Sequence, residues 1–265
     1  MISGIYYPDE GQIFVNGEEV SIRSPKDAFP LGIGMIHQHF KLVDVLTAAE
    51  NIILGLPGPL KLDMKKVTKE IRELADKYGF ELDPDRKIYV IDSLCASRGL
   101  GLMVDYMLKM QEKGATIEEV YEFTENNKLK LIHWFTVDDL EFLRRGGRVG
   151  SVSAFVGGML KIKPILNVNN EGKLIPLFKV RGRKKSIQGM VDQMKNDIVN
   201  PDGQTVFICH GDCIEDAEYA KKLILEAFPT IASVEIGYTG SVIGSHSGPG
   251  TLAIFYMGKE RFEKK

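Results

Sequence analysis

Two glycine-flanked groups in this chain carry residue types suited to gripping an anion. Gly146-Gly147-Arg148 sets a guanidinium on backbone that is free to approach a ligand closely. A planar guanidinium matches the two oxygens of a carboxylate or phosphate. The competing reading is a turn built on a glycine pair, with a solvated arginine. Ile243 to Gly250 carries His246 among Gly244, Gly248 and Gly250. That composition suits a nest that cradles phosphate, or a close approach to an acyl head group; a strand-connecting loop with a locally satisfied histidine is the alternative. Ser151, shortly after the Gly-Gly-Arg turn, is a candidate hydroxyl donor. Cys209-His210-Gly211-Asp212-Cys213 could be imagined as a metal loop, but no second ligand pair is evident, so a strand-end turn is expected and neither metal nor cofactor. Arg181-Gly182-Arg183-Lys184-Lys185 is the one dense basic run. It lacks interleaved stacking residues, which places nucleic acid behind a solvated strand-to-helix corner.

The elements that must position these groups follow from periodicity. Gln12 to Val15 alternates into an Asn16-Gly17 turn and returns through Glu19 to Ile22, a hairpin signal. Ser24-Pro25 opens a short helix, a strand is expected over Ile33 to His37, and Thr47 with Glu50 forms a capping box for the helix that follows. Asp63 to Tyr78 reads as a charge-laced amphipathic helix. From Lys87 strands and helices alternate: strands at 88–91, 130–135, 164–168, 173–180, 204–208, 233–238 and 251–257, with helices at 100–110, 117–126, to Arg144 from a cap at Asp138 or Asp139, at 185–198 and at 214–227. This predicts α/β layers with one or two small sheets. An apolar fraction of 44% and a charged fraction of 26% permit an ordinary core. The formal charge of −2 gives no global pull toward nucleic acid or anionic membrane. The longest apolar stretch, Ser151 to Leu166, is cut by Gly157, Gly158, Lys161, Lys163 and Pro164, so no spanning helix is expected. The first residues show no basic or apolar leader pattern, and three cysteines without scaffold spacing fit a reducing, cytoplasmic setting.

Two resemblances divide the chain. Ser3 to Gly17 resembles the segment that follows the Walker A helix of ABC-transporter ATPases, and Ile36 to Leu42 resembles the Q-loop of their sugar- or nucleoside-importing branch, with Gln38 at its glutamine. This likeness covers roughly residues 1–89. No G-x-x-x-x-G-K-[ST] loop occurs in the chain, and neither an LSGGQ-type signature nor an apolar run ending in Asp-Glu is present. Phosphoryl chemistry needs a lysine-bearing phosphate loop and a carboxylate for magnesium, so no ATPase activity is expected and Gln38 is a vestige.

The second part resembles the DegV family. Val90 to Ser97, Leu143 to Val149, Lys163 to Leu166, His210 to Asp212 and Gly244 to Gly250 occur in that family's order. The resemblance implies a protein that binds a long-chain fatty acid between two α/β domains, some members presenting it to a fatty-acid kinase, and no catalysis of its own. It implies ligand contacts for Arg148 and His246, a softer one for Ser151, and kinase docking on Arg181 and Arg183. The family's Thr-Ser-Gln and Ser-Gly-Thr carboxylate loops do not occur here; the transporter-like piece stands in their place. The expected fold class is therefore α/β: a DegV-like two-domain fold with an incomplete first domain, preceded by an ABC-ATPase fragment of a β-hairpin and helices. The expected domains are 1–87 for the truncated ATPase-like fragment, 88–160 for the remnant first domain and 161–265 for the carboxy-terminal domain. The expected function is impaired fatty-acid binding; the alternatives are a transporter ATP-binding fragment or a non-functional fusion.

Overall fold

The computed structural model describes residues 3–34, 42–43, 46–56, 62–148 and 162–261. The chain divides into two compact units, Met1–Val90 and Ile91–Lys265.

In the first unit, β1 (Ile13–Val15) pairs antiparallel with β2 (Glu18–Val20). The two turn residues, Asn16 and Gly17, take φ of 54° and 88°, the left-handed pair that a two-residue hairpin demands. Helices α1 (Pro25–Ala28), α2 (Ala48–Ile53) and α3 (Met64–Tyr78) follow. The capping box of α2 is complete: Glu50 N donates to Thr47 Oγ1 at 3.2 Å and Thr47 N donates to Glu50 Oε2 at 2.7 Å. Phe14, Phe29, Leu74 and Phe80 are exposed. The strand expected at 88–91 does not form; Lys87 makes an isolated bridge with Thr47, and the residues after it join neither sheet. A short apolar run becomes a strand only where a neighbouring strand takes up its ladder of hydrogen bonds. Of the strand expected at 33–37, Ile33 and Gly34 are coil, with Ile33 N donating to the Ala28 carbonyl at 3.2 Å, and the rest lies outside the described residues.

The second unit is built on one mixed sheet of six strands, in the order β5-β4-β3-β8-β6-β7. They are β3 (Leu131–Thr136), β4 (Ile162–Val168), β5 (Leu174–Arg181), β6 (Thr205–His210), β7 (Ser233–Tyr238) and β8 (Leu252–Met257). All pairs are antiparallel except β6 with β7. Their crossover is α8 (Ile214–Ala227), as parallel neighbours require. Both faces of the sheet are covered, which is why every residue of the interior strand β3 is buried. On one face Ile132, Trp134, Ile208, Ile254 and Tyr256 pack with Ile187, Met190 and Met194 of α7 (Arg183–Asp197) and Ala217, Ala220 and Ile224 of α8. On the other, Leu131, Phe135, Leu166 and Phe255 pack with Leu102 and Met103 of α4 (Arg98–Glu112), and with Leu143 of α6 (Leu140–Arg145). Helix α5 (Ile117–Asn127) precedes β3 under a complete Thr116–Glu119 capping box. A single carboxylate closes the first face: Trp134 Nε1 donates to Asp197 Oδ2 at 2.9 Å, and the Tyr256 hydroxyl donates to Asp197 Oδ1.

His133 ties the start of α4 to the second face. Its Nε2 accepts the Ala96 N–H at 3.3 Å, and Nδ1 faces the Leu131 carbonyl at 3.1 Å. A Cβ at Gly99 would fall 2.3 Å from that Nε2, so the helix approaches only because glycine stands there. Burial, and then the nearby Arg261 guanidinium, hold the imidazole well below its ordinary value of 6.5. The unfolded chain therefore takes up a proton near pH 6.5 that the folded one refuses. The stability tied to neutral His133 is whole above that pH and is lost progressively as pH falls below it. Urea midpoints should drop between pH 7.5 and pH 5.5 in the parent and drop less in His133→Gln; equal slopes in the two proteins would contradict this.

Candidate functional site

The register of the sheet brings the motifs to one end. Thr136 at the end of β3 pairs with Leu252 at the start of β8, Leu252 with His210 at the end of β6, and His210 with Tyr238 at the end of β7. Ile162 and Arg181, the start of β4 and the end of β5, pair at the same end. The Gly-Gly-Arg turn after α6, the Lys163 string, the His210-Gly211-Asp212 turn and the His246 segment thus share one rim.

Their closest association is α6 and the residues just before it, laid along a glycine-rich segment. Phe142 and Gly146 lie one turn apart on α6 and its C-cap, and Asp138 stands two residues before the helix, ahead of its extended cap Asp139. They meet Gly250, Gly248 and His246 in reverse order. A Cβ at Gly250 would lie 2.5 Å from Asp138 Oδ2, one at Gly248 2.5 Å from Phe142 Cδ2, and one at Gly146 2.4 Å from His246 Nδ1. Real Cβ atoms do not tolerate such distances, so each pair closes only because one partner is glycine. Gly248 and Gly250 also take φ of 79° and 75°, where side-chain-bearing residues are strained. Thr251 Oγ1 donates to the Gly248 carbonyl at 2.7 Å, and Gly250 N donates to Gly211 O at 2.7 Å.

Arg148 and His246, the two sequence-derived ligand residues, converge on Gly146. The imidazole lies against its Cα, and Arg148 Nη1 donates to its carbonyl at 3.1 Å. Arg148 is exposed, and among the described residues it has no carboxylate partner. Its neighbours are committed elsewhere: Arg144 and Arg145 both bond Glu141, and those bonds, Arg144's first, hold the Glu141 carboxyl at about 2. The His246 segment is a short helix, α9 (Ser241–Ser247), rather than the expected loop. Ser245 and Ser247 return their hydroxyls to the Val242 and Ile243 carbonyls, which satisfies both hydroxyls inside the helix. Ser151 and Gln38 lie outside the described residues.

The basic run divides. Arg181, the last residue of β5, is exposed. Arg183 is not a free surface cation: its side chain is 17% exposed, with Nε 2.7 Å from Asp216 Oδ2 and Nη1 3.5 Å from Asp138 Oδ1. Lys163 Nζ lies 2.7 Å from the same Asp138 oxygen. Asp138 and Asp216 carry no motif of their own; the sequence marks Asp138 only as a candidate cap of α6, a place that Asp139 takes. The Cys209–Cys213 stretch is a turn between β6 and α8, with Cys213 N donating to His210 Nδ1 at 3.2 Å. Among the described residues no His, Cys, Asp or Glu group is arranged to hold a metal ion, and no helix is long and apolar enough to cross a membrane.

A DegV domain-containing protein of Clostridium perfringens is 46% identical over 186 residues, which is 70% of this chain and 62% of that protein. The chain spans about three fifths of the length of the curated relatives it first matches. A solved DegV family structure from Thermus thermophilus, described for its fatty-acid binding, superimposes with a TM-score of 0.61 at 26% identity, over 72% of this chain and 66% of that one. The amino-terminal third is similar to something else: the guanosine import ATP-binding protein NupO of Bacillus subtilis, 48% identical over 90 residues, 33% of this chain and 18% of that protein. The family model described as "Uncharacterised protein, DegV family" matches residues 68–259, and the chain belongs to the DegV family.

Proposed function

We propose that the second unit binds a long-chain fatty acid, with the carboxylate received by Arg148 and His246 and with Ser151 as an added hydroxyl donor. The observation that carries this reading is the convergence of the two anion-gripping groups on Gly146 at the rim of a DegV-family sheet. The role is binding, not catalysis, in the cytoplasm, and the bound acid is presented to a fatty-acid kinase. Docking of that partner rests on Arg181, with Lys184 and Lys185 exposed beside it, since Arg183 is spent on internal carboxylates. Burying an acyl chain is favourable by about 0.8 kcal/mol per methylene, so roughly ten methylenes supply about 8 kcal/mol. The family's Thr-Ser-Gln and Ser-Gly-Thr loops are absent from the sequence, so the carboxylate has fewer donors here. A buried carboxylate short of partners forfeits part of the acyl gain, and affinity is reduced relative to a complete relative.

Titration with cis-parinaric acid should saturate, and mass spectrometry of extracted protein should find long-chain acids. No saturable signal up to the probe's solubility, with no lipid extracted, would remove this reading. Gly146→Ala tests the His246 seat without disturbing the backbone, because Gly146 has an ordinary helical φ of −71°. The added methyl should displace the imidazole, weaken parinaric-acid binding about tenfold and cost about 1–3 kcal/mol of stability by overpacking. Unchanged binding would separate His246 from the ligand.

A second reading concerns the first unit. Its exposed Phe14, Phe29, Leu74 and Phe80 suit a piece of a larger core, as a transporter-ATPase remnant carried as a passenger would have. Limited proteolysis should cut between Leu82 and Tyr89 and leave a resistant core beginning near Ile91. A first unit that resists digestion as well as the second would sink the passenger reading.

A further inference from the structure

Arg148 and His246 lean on one glycine, and what sets that contact lies at the other end of the same seam, two residues before α6. There Asp138 is held from two sides. Its Oδ1 is 2.7 Å from Lys163 Nζ and 3.5 Å from Arg183 Nη1, and Lys163 also donates to the Asp138 carbonyl at 3.1 Å. Arg183 is fixed in turn by Asp216 at 2.7 Å. The Lys163 and Arg183 side chains are 18% and 17% exposed and that of Asp138 is 50% exposed, so the two cations are shielded while the carboxylate between them keeps one side open to water. On the opposite side Asp138 Oδ2 lies flat on Gly250, within the distance a Cβ would occupy. Gly250 is itself pinned to the end of β6 through Gly211.

We propose that Asp138 is a positioning residue that seats His246 beside Arg148. Its carboxylate is clamped by two cations that come from β4 and α7, and it presses the Gly248–Gly250 segment onto α6. Because Phe142 on Gly248 and His246 on Gly146 continue the same row of close contacts, the registration set at Asp138 is transmitted to the imidazole. Arg183 acts here as an anchor within the fold. An amide at position 138 lacks the charge that holds Lys163 and Arg183 together, so the two cations separate and the segment lifts.

The inference rests on the fatty-acid reading for its affinity arm alone. In ligand-free protein, Asp138→Asn should shift and broaden the His246 imidazole cross-peaks while those of His133, buried beneath the start of α4, stay in place. Affinity for cis-parinaric acid should fall about tenfold, and Lys163→Met should move both readouts the same way by about threefold. His246 signals that stay put in both variants would overturn the proposal. So would His246 and His133 moving together with a lowered Tm, which marks general loss of packing, or a shifted His246 with undiminished affinity. Should Asp138→Asn fail to fold, Lys163→Met carries the test. Should the parent bind no parinaric acid, the fatty-acid reading fails, and the imidazole arm decides this one by itself.

Discussion

Close backbone approach at glycine is the constraint on which the functional rim depends. Gly146, Gly248 and Gly250 each stand where a methyl group would collide with a neighbour, and each neighbour is a different kind of group: an imidazole, a phenyl ring and a carboxylate. A helix packed on another segment through ordinary side chains stays 8–10 Å away, axis to axis. Removing the Cβ at alternate contacts lets α6 and α9 share one narrow seam. The cost is conformational, since glycine gives up more freedom on folding than any other residue. That cost is offset here by the Thr251 and Gly211 hydrogen bonds and by the charge clamp on Asp138.

The two units bury apolar surface unequally. The second wraps a sheet on both faces and buries whole side chains such as Trp134, Tyr256, Leu102 and Met194. The first has a two-stranded hairpin, two short helices and the longer α3, and its buried apolar side chains among the described residues are chiefly Ile22, Ala28, Ala48, Ala49 and Ala75. A hairpin on its own is marginal in water, and alanines supply little transfer energy. The difference matches the two similarities: a large share of a DegV protein in one case, and less than a fifth of a transporter subunit in the other.

Much of this was legible in the sequence, for reasons particular residues make plain. The Asn16-Gly17 hairpin and the Thr47–Glu50 box are local devices, each decided within four residues, and each forms. The β3, β6 and β8 strands are continuous apolar runs and fold as strands. The segment at 88–91 is equally apolar but joins neither sheet, and pairing is a property of the partner as well as of the run. Gly244 and the serines around it read as a loop; backbone bonds from Gly244 to Gly240 and from Gly248 to Gly244 make a short helix of them, and the serine hydroxyls are satisfied within it. Arg183 looked solvent-bound because Lys184 and Lys185 follow it. Its two carboxylates are distant in sequence, Asp138 by forty-five residues and Asp216 by thirty-three, and no local pattern announces either.

The bond between Trp134 and Asp197 has a spectroscopic consequence. Trp134 is the only tryptophan in the chain, 1% exposed, with its indole N–H held by a buried carboxylate. Intrinsic emission excited at the red edge of indole absorption therefore reports on the sheet of the second unit alone. The hairpin and helices of residues 3–90 carry tyrosines but no such chromophore, so they are dark to that signal. A melt followed by indole emission and one followed by backbone ellipticity read different parts of the same molecule.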